Sequence, residues 1–189
     1  LLQKRRSLAK QYPNDIVIHR DLGNILYRVA MIFVKGGELE TGLEKYREAN
    51  GIYLHLANLE PANDRATQKD VGWSHHFVGQ TLVYLERYPE GFSELTTGYS
   101  LILTRCVEFP DAEDPRKDLL VYIQSLTDLR IIAKQKKEAI EDCKQALLAL
   151  QPITEQKPDN YALANLYQQI QLKLKDFQQE KVENQRKAQ

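Results

Sequence analysis

Gly91-Phe92-Ser93-Glu94-Leu95-Thr96-Thr97-Gly98 is the stretch that decides the fold, because its spacing recurs on either side of it. Small, bulky and small residues stand at Gly91, Leu95 and Gly98. The same order is found upstream at Gly42, Tyr46 and Ala49, and downstream at Ala139, Cys143 and Ala146. Steps of four and then three keep residues on one face of a helix. Twenty-one residues before each triplet comes an Asp between a basic and an aliphatic residue: Arg20-Asp21-Leu22, Lys69-Asp70-Val71 and Lys117-Asp118-Leu119. From Asp21 to Asp70 is 49 residues and from Asp70 to Asp118 is 48. A period near 50 residues carried by three copies marks an array of structural units, so every other motif has to be read inside the repeat.

Working outward, residues 1–13 read as the end of a preceding repeat, because Leu8-Ala9-Lys10-Gln11-Tyr12-Pro13 parallels Leu56-Ala57-Asn58-Leu59-Glu60-Pro61. The expectation is a fragment of a longer repeat protein. Repeat 1 spans 14–60, repeat 2 spans 61–109 and repeat 3 spans 110–151. A final or capping helix covers 152–176, and a polar tail covers 177–189. Asp15 is an N-cap candidate, and Leu22, Leu26, Val29 and Phe33 form the apolar stripe of the first long helix. Gly36-Gly37 stops it. The next helix, 38–58, is its antiparallel partner across a short turn. Val71, His75, Val78 and Leu82 give the second stripe, and Leu119, Ile123 and Leu126 the third, which Arg130 interrupts. Asp114 followed by Pro115 predicts a capped helix start. The third partner helix is expected over 136–150, with no Gly or Pro in its hairpin turn. Seven long helices after an N-terminal stub make the chain all-α.

Composition narrows the function classes. The 189 residues hold 26 Lys plus Arg against 26 Asp plus Glu, so net charge gives no reason to expect a nucleic-acid or anionic-membrane partner. Apolar runs such as Val29–Val34 are too short to span a bilayer. Two cysteines, Cys106 and Cys143, make no disulfide framework, and a reducing, cytoplasmic setting is expected.

The small–bulky–small triplets on the second helices resemble the tetratricopeptide repeat. In that family a large apolar residue followed by a small one also lies midway along the first helix, as in Val29-Ala30 and Val78-Gly79, with Leu126-Thr127 a poorer fit. The resemblance implies a right-handed α-solenoid of antiparallel helix pairs, about three and a half repeats long. The common family period is 34 residues, with a Pro closing the second helix. Here the period is near 50, and Leu54, Leu103 and Gln151 stand where that Pro would be. The chain is similar to an extended bacterial variant, in arrays that often adjoin a kinase, ATPase or protease domain.

No catalytic or metal motif survives inspection, and no cofactor and no enzyme activity are expected. His75 and His76 are adjacent on a helix and point about 100° apart, so they cannot face one ion from one helix. His75 falls on the apolar stripe and reads as a hydrogen-bonded inter-helix histidine, whereas His76 is expected on the inner surface. Cys143 occupies the wedge position and reads as buried and inert. Glu108, Asp111, Glu113 and Asp114 lack the alternation and central Gly of a calcium loop. Lys134, Lys136 and Lys137 read as a solvated hairpin. The repeated Asp residues suit the positive end of a helix dipole and a bond to a neighbouring repeat.

In the resembled family the first helices line a concave binding surface. Carried over, that surface comprises Asn24, Tyr27, Met31 and Lys35, then Trp73, His76, Gln80 and Tyr84, then Val121, Gln124, Asp128 and Ile132. The leading expectation is a non-catalytic protein–protein interaction module of a larger protein, binding a peptide or partner helix there. The alternative is a regulatory sensor or oligomerisation arm of a signalling enzyme, associating with itself or with a catalytic domain of its own chain.

Overall fold

The computed structural model describes residues 2–59 and 65–187, with side chains described up to residue 179 and from residue 66 after the gap. Among these residues the chain is all-helical. The eight helices are α1 (Leu2–Gln11), α2 (Ile16–Lys35), α3 (Leu39–Leu59), α4 (Arg65–Tyr84), α5 (Tyr88–Glu108), α6 (Glu113–Ile132), α7 (Lys136–Gln156) and α8 (Tyr161–Lys187). Each packs on the next in sequence. No described helix is long and apolar enough to cross a membrane. The chain divides into two compact units, Leu1–Leu101 and Ile102–Gln189. The expected turn at Pro61-Ala62-Asn63-Asp64 lies outside the described residues.

In the first unit, Asp15 caps α2 as expected, its carboxylate accepting the Ile18 N–H at 2.9 Å. At the other end the Glu38 N–H reaches the Phe33 carbonyl at 2.9 Å and the Gly37 N–H reaches the Val34 carbonyl at 3.1 Å. This is a Schellman stop with Gly37 at φ +85°. It returns α3 antiparallel to α2, so that position 42 faces Ala30 and Val34 while Tyr53 meets Gly23 and Asn24. The buried face of α2 is Leu22, Leu26 and Ala30, whereas Val29 and Phe33 are only half-buried. The seam runs through the small residue because that is where the two backbones come together. One apolar cluster joins Leu22, Leu26, Ala49, Tyr53, Leu56 and Val71, and a second joins Ala30, Leu43, Tyr46, Val78 and Leu82.

The hairpin that lacks Gly and Pro uses the same stop. Between α6 and α7, Lys134 sits at φ 58°, and the Gln135 N–H bonds the Arg130 carbonyl at 2.7 Å. Between α4 and α5, Glu86 sits at φ 59°, and the Arg87 N–H bonds the Leu82 carbonyl at 2.9 Å. Gly37, Glu86 and Lys134 thus repeat at the 49- and 48-residue intervals of the Asp positions. A side chain in this left-handed region costs about 1–2 kcal/mol, against about 0.5–1 kcal/mol for the extra chain entropy of Gly. Glu86→Gly is therefore expected to stabilise the protein by about 0.5–1 kcal/mol, and Gly37→Ala to destabilise it by a similar amount, read as shifts in the urea midpoint.

The triplet positions behave alike in all three copies. Gly42, Tyr46, Ala49, Gly91, Leu95, Gly98, Ala139, Cys143 and Ala146 are all buried. Thr127, the poorest match among the first-helix small residues, is accommodated because its hydroxyl donates back to the Ile123 carbonyl at 2.8 Å.

In the second unit, α6 starts at Glu113 with Ala112 before it and no side-chain cap. Asp114 therefore lies inside the first turn, where its charge suits the dipole. The acidic boundary loop is tied down instead by Asp111, whose carboxylate accepts from Lys157 and, at 3.0 Å, from Asn160. Arg130, which interrupts the third stripe, puts its guanidinium 3.0 Å from Asp142 of α7. Helix α7 continues past the expected stop at Pro152 to Gln156. The carbonyl that Pro152 cannot bond belongs to Leu148, whose side of the helix is exposed, so the lost helix bond falls where solvent has access. Asn160 caps α8 through the Leu163 N–H at 3.0 Å. That helix runs on into the polar tail as far as Lys187.

The repeated Asp residues each meet an Arg. Arg5 lies 3.2 Å from Asp21, Arg20 lies 3.3 Å from Asp70 and Arg105 lies 2.6 Å from Asp118. The acids are equivalent positions, but the bases are not.

Candidate functional site

Three helix faces of the first unit converge on one open cavity of about 140 Å³. Helix α2 contributes Asn24 and Tyr27, three residues apart. Helix α3 contributes Tyr46, Ala49 and Tyr53, at steps of three and four. Helix α4 contributes Asp70, Trp73, Ser74 and Phe77, again at steps of three or four. Each set lies on one face of its helix. The small residue Ala49 leaves the room, since bulkier neighbours surround it. Gly23 lets the Tyr53 ring lie against α2: a Cβ there would stand 3.0 Å from the ring carbon Cζ.

Phe77 is the hub of the aromatic wall. Its ring is 5.5 Å from Tyr46 at 17° and 6.0 Å from Trp73 at 29°, close to parallel with both. Tyr27 is inclined to Phe77 by 51° at 4.7 Å and to Tyr46 by 42°. The rings therefore form a corner rather than a single stack. The polar groups of the lining are directed by the protein. The Tyr53 hydroxyl donates to Asn24 Oδ1 at 2.9 Å, and the Ser74 hydroxyl donates to Asn50 Oδ1 at 3.0 Å and to the Val71 carbonyl at 2.8 Å. Burial pushes the Tyr46 and Tyr53 phenols well above their ordinary range, and the nearby Asp70 charge adds to the effect on Tyr53. All three tyrosines stay neutral across physiological pH.

Of the expected binding residues, Asn24, Tyr27 and Trp73 are brought together in this cavity. Met31 packs against the adjoining apolar cluster. Lys35, Gln80 and Tyr84 lie outside the lining, with the Gln80 amide donating to the Tyr84 hydroxyl at 3.2 Å. His76 is a correction: it is only 3% exposed, packed against Trp73 and Phe77 rather than presented on a surface. The flanking rings cover it. In the second unit, Val121, Gln124, Asp128 and Ile132 are exposed on α6, and Asp128 pairs with Lys173 of α8 at 3.1 Å.

Tyr46, the bulky residue of its triplet, and Asp70, one of the repeated Asp residues, carry a scaffold role in the sequence reading, which gives Tyr53, Ser74 and Phe77 no part in a site. The available signal was the seven-residue step from Tyr46 to Tyr53, which places two phenols on one helix face. His75 fits its reading: Nδ1 lies 2.6 Å from Glu94 Oε2 on α5. Cys106 and Cys143 are fully buried, and burial pushes both thiols up to about 11, away from reactivity. Among the described residues no group of three or more His, Cys, Asp or Glu could hold a metal ion.

Burial pushes the His76 imidazole down to about 4. A folded value below the unfolded one, about 6.5, means that the unfolded chain takes the proton first as pH falls. Stability is therefore lost on acidification between about pH 6.5 and pH 4. From pH 7 to pH 5 the expected loss from this residue is about 2 kcal/mol. His76→Phe should remove that share of the pH dependence in urea titrations at the two pH values.

No protein-family model and no curated protein matches this sequence.

Proposed function

We propose that the chain is a non-catalytic interaction module of a larger cytoplasmic protein, built as a right-handed solenoid of about three and a half tetratricopeptide-like repeats. In this reading it binds a protein or peptide partner through the first unit. The observation that carries the proposal is the open aromatic cavity on α2, α3 and α4. Packing normally closes such a space, and Tyr and Trp are the side chains that most often anchor binding hot spots. At about 140 Å³ the cavity suits a single anchoring group rather than a whole small ligand, for which sites of about 300–1,000 Å³ are usual.

The test uses Trp73, the sole tryptophan. Peptides selected for binding to the whole chain from a displayed random library should change Trp73 emission on binding. They should also lose at least tenfold in affinity against Trp73→Ala and against Tyr27→Ala, with folding of both variants checked by circular dichroism. Selected peptides that bind the two variants as well as the parent would show that the cavity is not the anchor site.

A second reading, the oligomerisation arm, is favoured by one observation. Val121 and Ile132 are 53% and 58% exposed on one helix of the second unit. Light scattering at rising concentration separates the two, because a monomer throughout rules out the arm.

A further inference from the structure

We infer that the aromatic cavity receives a quaternary ammonium group, as the methylated side chain of a partner or the head of a small amine. The inference rests on reading the cavity as a binding site. Five of its nine lining residues are Tyr27, Tyr46, Tyr53, Trp73 and Phe77, and the only formally charged one is Asp70. Aromatic rings present negative potential over their faces, and a carboxylate adds to it, so the lining favours a cation and disfavours an anion. Asp70 acts on the neighbouring Tyr53 phenol, helping burial to raise it, while Arg20 opposes the effect. The Tyr53 hydroxyl is held by Asn24 Oδ1 and the Ser74 hydroxyl by Asn50 Oδ1 and the Val71 carbonyl, so neither is directed at an anion, which Asp70 would also repel.

The kind of cation follows from Asp70. Its Oδ2 is shared with Arg20 Nε at 3.3 Å, so the carboxylate is already partly compensated. A primary ammonium carries three strong donors and tight hydration, and loses more in entering than this lining returns. A methylated ammonium has no such donors and little hydration to lose. Tyr27, inclined by 42° to Tyr46 and by 51° to Phe77, gives the lining rings of differing tilt, which suit a compact, rounded head better than a flat one. A purely apolar group would fill the same space but would remove water from around Asp70 without adding a charge to offset it.

The experiment titrates the whole chain with choline and with 3,3-dimethyl-1-butanol, its neutral carbon isostere, following Trp73 emission. Choline should give a saturable change, and the isostere should bind at least tenfold more weakly. A peptide carrying trimethyl-lysine should bind at least tenfold tighter than its unmodified counterpart. If the peptide binds and choline binds far more weakly, the source is a modified protein; if choline alone binds, it is a small amine. Tyr27→Leu should reduce choline binding at least fivefold while leaving the isostere within twofold. Equal binding of choline and isostere would overturn the cation inference and leave the cavity as an apolar anchor site. Absence of any saturable change with choline, isostere and both peptides would overturn the cation inference and count against the cavity as a site.

Discussion

Arg105→Met is expected to cost about 3–5 kcal/mol of stability. Arg105 Nη1 donates to Asp118 Oδ2 at 2.6 Å, and the two side chains are only 5% and 11% exposed. Both lie in the second unit, where the end of α5 meets the first turns of α6. Removing the guanidinium takes a charged partner from a carboxylate that water barely reaches, and much of its desolvation cost is then left without compensation. The helix dipole at the start of α6 returns only a fraction of that. The double variant Arg105→Met with Asp118→Leu removes both charges together, and it should recover most of the loss. Urea unfolding of the two single variants and the double variant gives the coupling directly. The alternative outcome is also informative. If Arg105→Met alone shifts stability by less than 1 kcal/mol, water reaches the pair and it acts as a surface bridge.

Asp118 also shows where sequence reading succeeded and where it stopped. The recurrence of Asp21, Asp70 and Asp118 was visible, and so was their structural role. Their partners were not, because Arg5, Arg20 and Arg105 come from positions that no period relates. Helix order, hairpins and the buried triplets followed from spacing, since helical geometry fixes which residues share a face. The left-handed turns at Glu86 and Lys134 were hidden, because neither residue carries the conformational mark that Gly37 does. The stripe of α2 was misplaced toward Val29 and Phe33, because hydrophobicity counts bulk, while the closest seam belongs to Ala30. His76 was misplaced for a related reason: a helical wheel gives direction but not the cover supplied by Trp73 and Phe77. The cavity was the least legible feature. It is a space left between three helices, and its aromatic residues do not differ in type from those of a core. Only Asn24, Tyr27 and Trp73 were anticipated there.

One substitution, Gly→Ala, is expected to have opposite effects at two helical positions. Gly79→Ala should destabilise by about 3 kcal/mol, at the upper end of the usual cost of overpacking. A Cβ at position 79 would stand 2.7 Å from the Gly91 carbonyl oxygen, 2.7 Å from Leu95 Cγ and 3.0 Å from the Leu95 N. The approach is reciprocal, since a Cβ at Gly91 would stand 2.9 Å from the Gly79 carbonyl oxygen. Besides Leu95 Cγ, the atoms met are backbone, so a rotamer change at Leu95 would not relieve the clash and α4 and α5 must separate. Separation pulls Leu95 and Val83 out of contact along the pair and loses apolar burial at about 25 cal/mol per Å². Gly51 is also inside a helix, α3, but is exposed, and a Cβ there meets nothing within 4 Å. Gly51→Ala then gains only the helix propensity of Ala, about 1 kcal/mol. Urea midpoints for the two variants should therefore move in opposite directions with unchanged slope. A stabilised Gly79→Ala would mean that α4 and α5 do not close against each other, and that the small residues of the triplet are not what sets their distance.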